Sequence, residues 1–284
     1  MKTNNQKSVL ITGTSTGIGY EATKACIARG YQVFGSVRKE EDAKRLTDQF
    51  GERYRPLIFD VTDHAAVTEE IRKVQEELTE VGLHALINNS GIAIGGPILY
   101  QDMSDIEKHF HVNVFGLIKV TKACLPMLGA QEDYAGTPGK IINISSVAGK
   151  IAAPFVTTYA SSKHAVEGFS HGLRRELLPF GVQVVIVGPG AVKTPIWDKG
   201  MNFNNFESTP YAEILRKFGE GAKESADKGL DAEYLGARIA DIVDAKKPKL
   251  RYAFVPQRFK NWSVPLRMPD RWLDSALAKR LKLK

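Results

Sequence analysis

Short β-branched runs alternate with amphipathic segments of helix length through most of this chain, and this alternation limits the folds open to it. We predict strands at residues 8–12, 32–37, 54–61, 83–89, 140–145 and 182–188. These runs are mostly apolar, which is typical of strands that helices cover on both faces. The intervening segments predict helices at residues 17–30, 39–50, 63–81, 103–130 and 157–180. Repeated strand–helix–strand units with right-handed crossovers indicate an α/β fold with a doubly wound parallel sheet.

The rest of the chain departs from this pattern without forming a second domain. Pro126 and Gly129 predict a kink or a late end in the helix at 103–130. Residues 195–230 are irregular, which indicates a loop–helix insertion. A predicted helix at 231–245, a short strand at 251–255 and a C-terminal helical segment follow. Because no linker or repeat divides the chain, we predict one domain over residues 1–284.

Composition excludes several classes of protein. Apolar residues make up 43% and charged residues 25% of the chain, which rules out disordered and fibrous chains. No stretch reaches the roughly 18 apolar residues that span a bilayer, and the first residues lack the apolar core of a signal peptide. Cys26 and Cys124 are too few for a disulfide framework, and neither they nor the histidines have metal-ligand spacing. We expect a soluble, cytoplasmic protein with no metal site.

The net charge of +7 is concentrated at one end of the chain. Residues 258–284 contain eight basic and two acidic side chains, a net charge of +6, so the preceding residues are close to neutral. A protein that binds nucleic acid is expected to carry a basic patch on its folded body. We therefore predict no nucleic-acid partner.

A glycine-rich turn follows the first predicted strand, in the sequence Thr12-Gly13-Thr14-Ser15-Thr16-Gly17-Ile18-Gly19. Glycine lets the backbone turn tightly and approach a pyrophosphate, and the helix that follows offers free N–H groups at its N-terminus. The GxxxGxG spacing differs from the general GxGxxG fingerprint, and a glycine-rich turn also arises by chance. Its position between a first strand and a first helix favours a dinucleotide site.

The end of the second predicted strand indicates which dinucleotide binds. An NAD site places Asp or Glu there, about 20 residues beyond the glycines, whereas this chain has Arg38 and Lys39 and no acid before Glu40. An arginine can hold a 2′-phosphate bidentately, and an acid would repel that group. Alternatively, Arg38 is a solvated residue at the start of a helix. We predict NADP(H) in preference to NAD(H).

Polar residues also end the third and fourth predicted strands. Asp60 ends the third, and Asn88-Asn89-Ser90-Gly91 ends the fourth. Ligands of doubly wound sheets bind at the carboxyl ends of the strands, so we predict that these residues lie beside adenine and ribose. The alternative for Asp60 and its neighbours is capping of the next helix, which Thr62 or Asp63 could provide alone.

Ser146, Tyr159 and Lys163 define the predicted chemistry. Ser146 ends the fifth predicted strand, Tyr159 follows 13 residues later, and Lys163 stands four residues beyond it on a predicted helix. Side chains at i and i+4 share one helix face. A free phenol has a pKa of about 10, and a neighbouring ammonium lowers it toward the range in which an acid–base group works best. A lone YxxxK pattern is weak, but with the glycine-rich turn and NNSG it indicates an active site.

Together, the TGxxxGIG, NNxG and YxxxK motifs resemble those of the short-chain dehydrogenase/reductase family, closely over residues 6–195 and loosely beyond. The resemblance implies a Rossmann-type fold and hydride transfer between NAD(P)H and a ketone or alcohol. It implies that Tyr159 is the catalytic acid–base group, that Lys163 binds the nicotinamide ribose and lowers the tyrosine pKa, and that Ser146 hydrogen-bonds the substrate oxygen. Asn113 matches the family asparagine that supports a water-linked proton relay.

The resemblance extends to the stretch after the sixth strand, where the Val192 backbone and the Thr194 hydroxyl hold the carboxamide and phosphate region. The predicted cofactor residues are Gly13, Ser15, Thr16, Gly17, Ile18, Gly19, Arg38, Asp60, Val61, Asn88, Ser90, Gly91, Tyr159, Lys163, Pro189, Gly190, Val192 and Thr194. We predict an NADP-dependent oxidoreductase that forms homo-oligomers. The alternative is a non-catalytic dinucleotide sensor, although such proteins tend to lose the tyrosine or lysine that this chain keeps.

The substrate is predicted from residues 195–230, which we expect to form a lid. Its apolar residues are Ile196, Trp197, Met201, Phe203, Phe206, Tyr211, Ile214 and Phe218, and Ile92, Ile94, Pro154 and Phe155 could extend the same wall. An apolar pocket suits a bulky steroid-, retinoid- or lipid-like ketone or alcohol. Alternatively, half of these side chains only pack the lid onto the core. Residues 247–252 and 266–271 loosely resemble the retinol and hydroxysteroid dehydrogenase branch of the family.

Residues 258–284 form a predicted basic extension. Apolar residues recur in it at helical spacing, at Leu266, Trp272, Leu273, Ala276, Leu277 and Leu281. A basic amphipathic helix with Trp and Leu can lie on an anionic bilayer, or it can pack its apolar stripe on the body. Because Pro265 and Pro269 interrupt its start, we expect a docked helix near the lid, with weak membrane contact as a secondary role.

Overall fold

The computed structural model describes residues 7–78, 82–196, 200–201, 203–281 and 283. Seven strands form its sheet: β1 Ser8–Ile11, β2 Gln32–Val37, β3 Tyr54–Ile58, β4 Ala85–Asn88, β5 Lys140–Ile144, β6 Gln183–Pro189 and β7 Arg251–Phe254. Every neighbouring pair is parallel, and the strand order is β3-β2-β1-β4-β5-β6-β7. The predicted doubly wound parallel sheet is confirmed.

Helices cover both faces of this sheet. They are α1 Gly17–Ala28, α2 Glu40–Phe50, α3 His64–Glu77, α4 Met103–Phe110, α5 Leu117–Cys124, α6 Thr157–Glu176, α7 Ala212–Asp227, α8 Ala232–Asp244 and α9 Asp270–Leu281. Asp63 caps α3, since its carboxylate accepts a hydrogen bond from the Ala66 backbone N–H at 3.0 Å. The strand order reverses between β1 and β4, which is where ligands of such sheets bind.

Two predicted helices have different bounds in the structure. The segment predicted as one helix at 103–130 is divided into α4, a π-helical turn at His111–Gly116, α5 and a 3-10 turn at Pro126–Leu128. Gly129 ends it with a φ of 98°, a conformation that glycine favours. The helix predicted at 157–180 ends at Glu176, and a 3-10 turn with Pro179 follows. Residues 79–81 of the helix predicted at 63–81 lie outside the described part.

Strand alternation divides the core between the two faces. Val9 and Ile11 of β1 pack on one face with apolar residues of α1 and α8. Leu10 points to the other face and packs with residues of α3 and α5. Cys26 and Cys124 are buried, one in each cluster, as small core residues. The carboxyl ends of the strands are thereby fixed at one edge of the sheet.

In the described ranges, no helix is long and apolar enough to cross a bilayer. The same residues contain no group of three or more His, Cys, Asp or Glu side chains placed to hold a metal ion.

Candidate active site

A cleft of about 1430 Å³ opens at the carboxyl edge of the sheet. Most of the residues predicted for catalysis and cofactor binding line it: Gly13, Ser15, Thr16, Gly17, Ile18, Arg38, Asp60, Val61, Ser90, Gly91, Ser146, Tyr159, Lys163, Pro189, Gly190, Val192 and Thr194. They come from the ends of six strands and from the start of α6. Parallel strands place all of these ends at one edge, so residues far apart in sequence meet in one cleft.

Three of the predicted residues lie behind the wall of this cleft instead. A Cβ at Gly19 would lie 2.2 Å from the Gly13 carbonyl oxygen, so this glycine serves the close packing of α1 on β1. Asn88 points into the core, where its amide donates to Thr121 at 2.9 Å and to Asn143 at 2.8 Å. Asn113 is the third. Asn88 is therefore a buried strut between β4, α5 and β5, and the cofactor contact predicted for it has no geometric support.

The glycine-rich turn forms an anion cradle at the end of β1. Gly13 and Gly17 have φ values of 70° and 62°, in the left-handed region that favours glycine. The Thr12 hydroxyl oxygen accepts hydrogen bonds from the backbone N–H groups of Asn89 and Ser90, both at 2.9 Å, and so ties β1 to the end of β4. The N-terminus of α1 opens into the cleft at Thr16 and Gly17. These positions fit a dinucleotide pyrophosphate.

Arg38 and Asp60 stand together at the adenosine end of the predicted site. The Arg38 Nη1 lies 3.8 Å from an Asp60 carboxylate oxygen, and the arginine side chain is 72% exposed. Burial raises the Asp60 pKa, but hydrogen bonds from the Thr62 N–H and hydroxyl and the charge of Arg38 outweigh this and hold it below its usual range. Because Asp63 caps α3 alone, Asp60 is not the helix cap that was its alternative role.

Ser146, Tyr159 and Lys163 meet on the wall of the cleft. The Lys163 ammonium donates to the Ile144 carbonyl at 3.0 Å and lies 5.9 Å from the Tyr159 ring centroid. Burial lowers the pKa of Lys163 to about 8. Burial also raises the Tyr159 pKa, against a Ser146 hydrogen bond that acts in the opposite direction. The phenol pKa is thus raised overall because burial outweighs the Ser146 hydrogen bond, and the lowering predicted from Lys163 remains a prediction.

Asn113 acts as a clamp beside this group. Its amide donates to the Ile92 carbonyl and to the Ser162 hydroxyl, both at 3.0 Å, and its oxygen accepts from the Ile92 N–H at 2.8 Å. Both amide protons are therefore used in joining the π-helical turn to α6 and to the strand-end loop. The side chain fixes the backbone around Tyr159, and the relay predicted for Asn113 remains a prediction.

Sequence reasoning missed a buried histidine next to the phenol. His109 is fully buried, and its ring centroid lies 6.2 Å from that of Tyr159. Its Nε2 accepts the Ile94 N–H at 2.9 Å, and its Nδ1 lies 3.2 Å from the Thr158 hydroxyl. Burial lowers the His109 pKa to about 4. The helical spacing from His109 to Asn113 was the only sign of it in the sequence.

A buried ion pair behind Ser146 was missed as well. The Arg251 guanidinium donates to the Glu167 carboxylate at 3.0 Å and reaches the Ser146 carbonyl at 3.4 Å. It also lies 4.4 Å from the Trp262 ring centroid. Glu167 is one helical turn after Lys163 on α6. This group connects β7 and the following segment to the loop that carries Ser146.

The predicted lid residues divide into two sets. Ile196, Met201 and Phe218 line the cleft together with Ile92 and Ile94, whereas Trp197 lies outside the described residues. The others do not line it: Phe203, Phe206, Tyr211, Ile214, Pro154 and Phe155. Of these, Phe203 and Phe206 lie against Gly95 and Gly96. Phe155 lies 5.8 Å from Tyr211 and 5.5 Å from Phe218 between ring centroids. Packing thus accounts for half of the set, as the alternative interpretation held.

The fold and the cleft define a dinucleotide-dependent oxidoreductase of the short-chain type. The family model for short chain dehydrogenases matches residues 7–204, and the chain belongs to the short-chain dehydrogenase/reductase family. It is an NAD(P)-dependent oxidoreductase that acts on alcohol or ketone groups.

Relatives match along nearly the whole chain. An NADPH-dependent 3-dehydrocapnine reductase from Ornithobacterium rhinotracheale is 38% identical over 274 residues, which cover 96% of each chain. A 3-ketodihydrosphingosine reductase from Bacteroides thetaiotaomicron is 30% identical over 277 residues, covering 95% of this chain and 96% of the relative. The crystal structure of a short-chain dehydrogenase from Streptomyces avermitilis has a TM-score of 0.77 at 27% identity, covering 98% of this chain and 97% of that one.

Proposed function

We propose that this protein is an NADPH-dependent reductase of a long, apolar, lipid-like ketone. The observation that carries the proposal is a single cleft in which the glycine cradle, Arg38 and the Ser146–Tyr159–Lys163 group share a wall with apolar residues of the lid. A bound NADPH supplies the hydride for such a reduction. The residues of this chain then have to hold the dinucleotide, orient the carbonyl and deliver a proton to its oxygen.

The proton comes from Tyr159. Because burial raises its pKa, the phenol stays protonated at neutral pH and is set to donate to an oxygen that becomes negative. Ser146 shares a hydrogen bond with this phenol and positions the substrate oxygen. Lys163, held by the Ile144 carbonyl, keeps further N–H donors for the ribose. A phenol that is protonated at rest is in the form that the reduction step requires.

The choice of NADPH rests on Arg38. Its guanidinium faces the cleft beside Asp60 and is largely exposed, so it can turn to a 2′-phosphate without leaving a buried partner unpaired. The relative from Ornithobacterium is NADPH-dependent by name.

The substrate class follows from the far wall and from the relatives. Ile92, Ile94, Met201 and Phe218 give that wall an apolar surface, which suits an alkyl chain. The two reductases at 38% and 30% identity are both named for a carbonyl at carbon 3, one of them in a sphingoid base. We place a ketone near one end of a long chain at Tyr159, with the chain directed along the lid.

The test measures NADPH consumption, through the loss of NADPH absorbance, with a panel of carbonyl compounds. The panel holds 3-ketodihydrosphingosine, a ketosteroid, the aldehyde retinal and a short water-soluble ketone. We expect the highest kcat/KM with the long-chain ketone, and no turnover by Tyr159→Phe. Equal rates with all four, or a preference for the steroid, would contradict the substrate class. A protein that binds NADPH and consumes none with any carbonyl would favour the sensor alternative.

A further inference from the structure

Residues 258–281, called the basic segment below, present large apolar side chains to solvent. Phe259 is 76% and Trp272 is 70% exposed, and Val264 and Leu266 are exposed as well. No side chain of α9 is buried. These four residues lie within residues 259–272, and exposed apolar residues that form a patch mark an interaction site.

The basic segment also carries a net positive charge. Its described ionisable residues are Arg258, Lys260, Arg267, Arg271, Lys279 and Arg280 against Asp270 and Asp274. All six basic side chains are exposed, and none forms an ion pair with a residue in the described ranges. Elsewhere on the surface, acidic neighbours pair with lysine and arginine, for example Arg216 with Glu220. The basic segment therefore presents an excess of positive charge to solvent, which attracts an anionic partner.

The inner edge of the basic segment is fixed to the body at the cleft. Trp262 is buried and stacks on Arg251. Farther along, Leu277 and Leu281 of α9 line the cleft beside α7. The exposed residues are thus held on a rigid base next to the opening of the cleft.

We propose that the basic segment docks on the surface of an anionic lipid bilayer and brings the opening of the cleft to the membrane. Phe259 and Trp272 insert at the headgroup level, where aromatic side chains are stable. The six cations are attracted by anionic headgroups. A second copy of the chain is a poorer occupant, because it would place two unpaired cationic surfaces against each other.

Membrane docking is inferred from the basic segment alone. The benefit of docking, which is access to a substrate held in the membrane, rests on the proposed function. A lipid-like ketone is held in bilayers and is scarce in water, so an enzyme that opens onto the membrane receives it directly. Leu277 and Leu281 would then be the first side chains that its alkyl chain meets.

The test is sedimentation of the full-length protein with vesicles of phosphatidylcholine, with and without phosphatidylglycerol. We expect binding to the anionic vesicles, weak binding to the neutral ones and a loss of binding as salt rises. Arg267→Gln and Arg271→Gln should each lower the vesicle partition coefficient about fivefold, and Trp272→Ala should lower it as well. Lys44→Gln and Leu178→Ala, which alter an exposed cation and an exposed apolar residue elsewhere, are the matched controls.

Three outcomes would overturn docking. They are equal binding to neutral and anionic vesicles, unchanged binding by all three variants of the basic segment, or a dimer in size-exclusion chromatography that Trp272→Ala dissociates. Turnover of a water-soluble ketone separates this proposal from the previous one. The three variants should reduce the water-soluble ketone at the parent rate and reduce a vesicle-borne substrate more slowly. A parent protein that consumes no NADPH would contradict the proposed function and leave the sedimentation result valid.

Discussion

At the scale of single residues, Tyr159 carries the chemistry through one hydroxyl. Tyr159→Phe should lower kcat by about 10²–10⁴-fold, the usual contribution of an acid–base group, and leave the Kd for NADPH nearly unchanged. Steady-state kinetics and a fluorescence titration measure the two effects. Tyr20→Phe, a matched change on α1 outside the cleft, should alter neither. Activity above about a hundredth of the parent in Tyr159→Phe would remove the phenol from the mechanism.

We expect Arg38 to determine the preference for NADPH over NADH, and a change at Lys39 serves as the control. Arg38→Asp removes a charge-assisted hydrogen bond to the 2′-phosphate and adds a repulsive charge, so kcat/KM with NADPH should fall about 10- to 100-fold. The ratio of kcat/KM with NADH to kcat/KM with NADPH should therefore rise. Lys39→Asp makes the same change in charge one residue away, outside the cleft, and should change the ratio little. A parent enzyme that already prefers NADH would make Arg38 a surface residue only.

His109 makes stability depend on pH on the acid side. Its pKa of about 4 in the folded state is below its ordinary value of 6.5, so between these values the unfolded chain binds more protons than the folded one. Stability is then fully present above pH 6.5 and is lost as pH falls toward 4. A shift of this size corresponds to about 3 kcal/mol.

Urea denaturation across this pH range measures that loss. His109→Gln should reduce the slope of unfolding free energy against pH, although it is less stable at neutral pH because the Ile94 and Thr158 contacts are weakened. His64→Gln, at an exposed site, should leave the slope unchanged. Equal slopes in the parent and His109→Gln would assign the acid sensitivity to other groups.

At the scale of elements, the sequence predicted the sheet well because buried parallel strands are recognisable one at a time. Runs such as 140–145 and 182–188 are mostly apolar, and their positions agree with β5 and β6. The division between α4 and α5 could not be seen in the same way. The π-helical turn at His111–Gly116 is fixed by Asn113 bonding to Ile92, a tertiary contact that helical periodicity does not contain.

The candidate site was predictable where a motif is local and not where it depends on packing. The glycine turn and the Tyr159–Lys163 pair are each local in sequence, so Gly13, Gly17, Tyr159 and Lys163 line the cleft. The Asn88 side chain points into the core because strand alternation, and not motif membership, decides which face a side chain takes; its cofactor contact remains a prediction. Glu167 and Arg251 are 84 residues apart, and neither position carries a pattern that points to the other.

The Arg251–Glu167 pair locks β7 to α6, and its removal tests that role. Arg251→Gln leaves the buried Glu167 carboxylate with only the Lys150 ammonium, at 3.5 Å, which should cost up to about 3–5 kcal/mol of unfolding free energy. The double variant Arg251→Gln/Glu167→Gln should recover part of this loss. Arg216→Gln breaks an exposed pair with Glu220 and should cost less than about 1 kcal/mol. Equal losses in Arg251→Gln and Arg216→Gln, measured by urea denaturation, would contradict a buried lock.

At the scale of the whole molecule, different parts of the chain form the cofactor half and the substrate half of the cleft. The cofactor half is built from strand ends of the sheet, and its geometry follows from the fold. The substrate half is built from the lid, α7 and α9, which lie outside the repeated strand–helix units. The family motifs therefore identify the reaction, whereas the substrate depends on the segments after about residue 195.

We expect the final helix, α9, to contribute to membrane binding and little to thermal stability. The sequence predicts that α9 is docked, and the structure does place it beside α7, but none of its side chains is buried. Deleting residues 269–284 should therefore change the Tm little, while partition into anionic vesicles falls. Trp262→Ala, in contrast, removes a buried ring from Arg251 and should lower the Tm by several degrees because large-to-small core changes cost about 3–5 kcal/mol. Differential scanning calorimetry and vesicle sedimentation on both variants measure the two properties. A truncated protein that aggregates or melts far below the parent would show instead that α9 is part of the core.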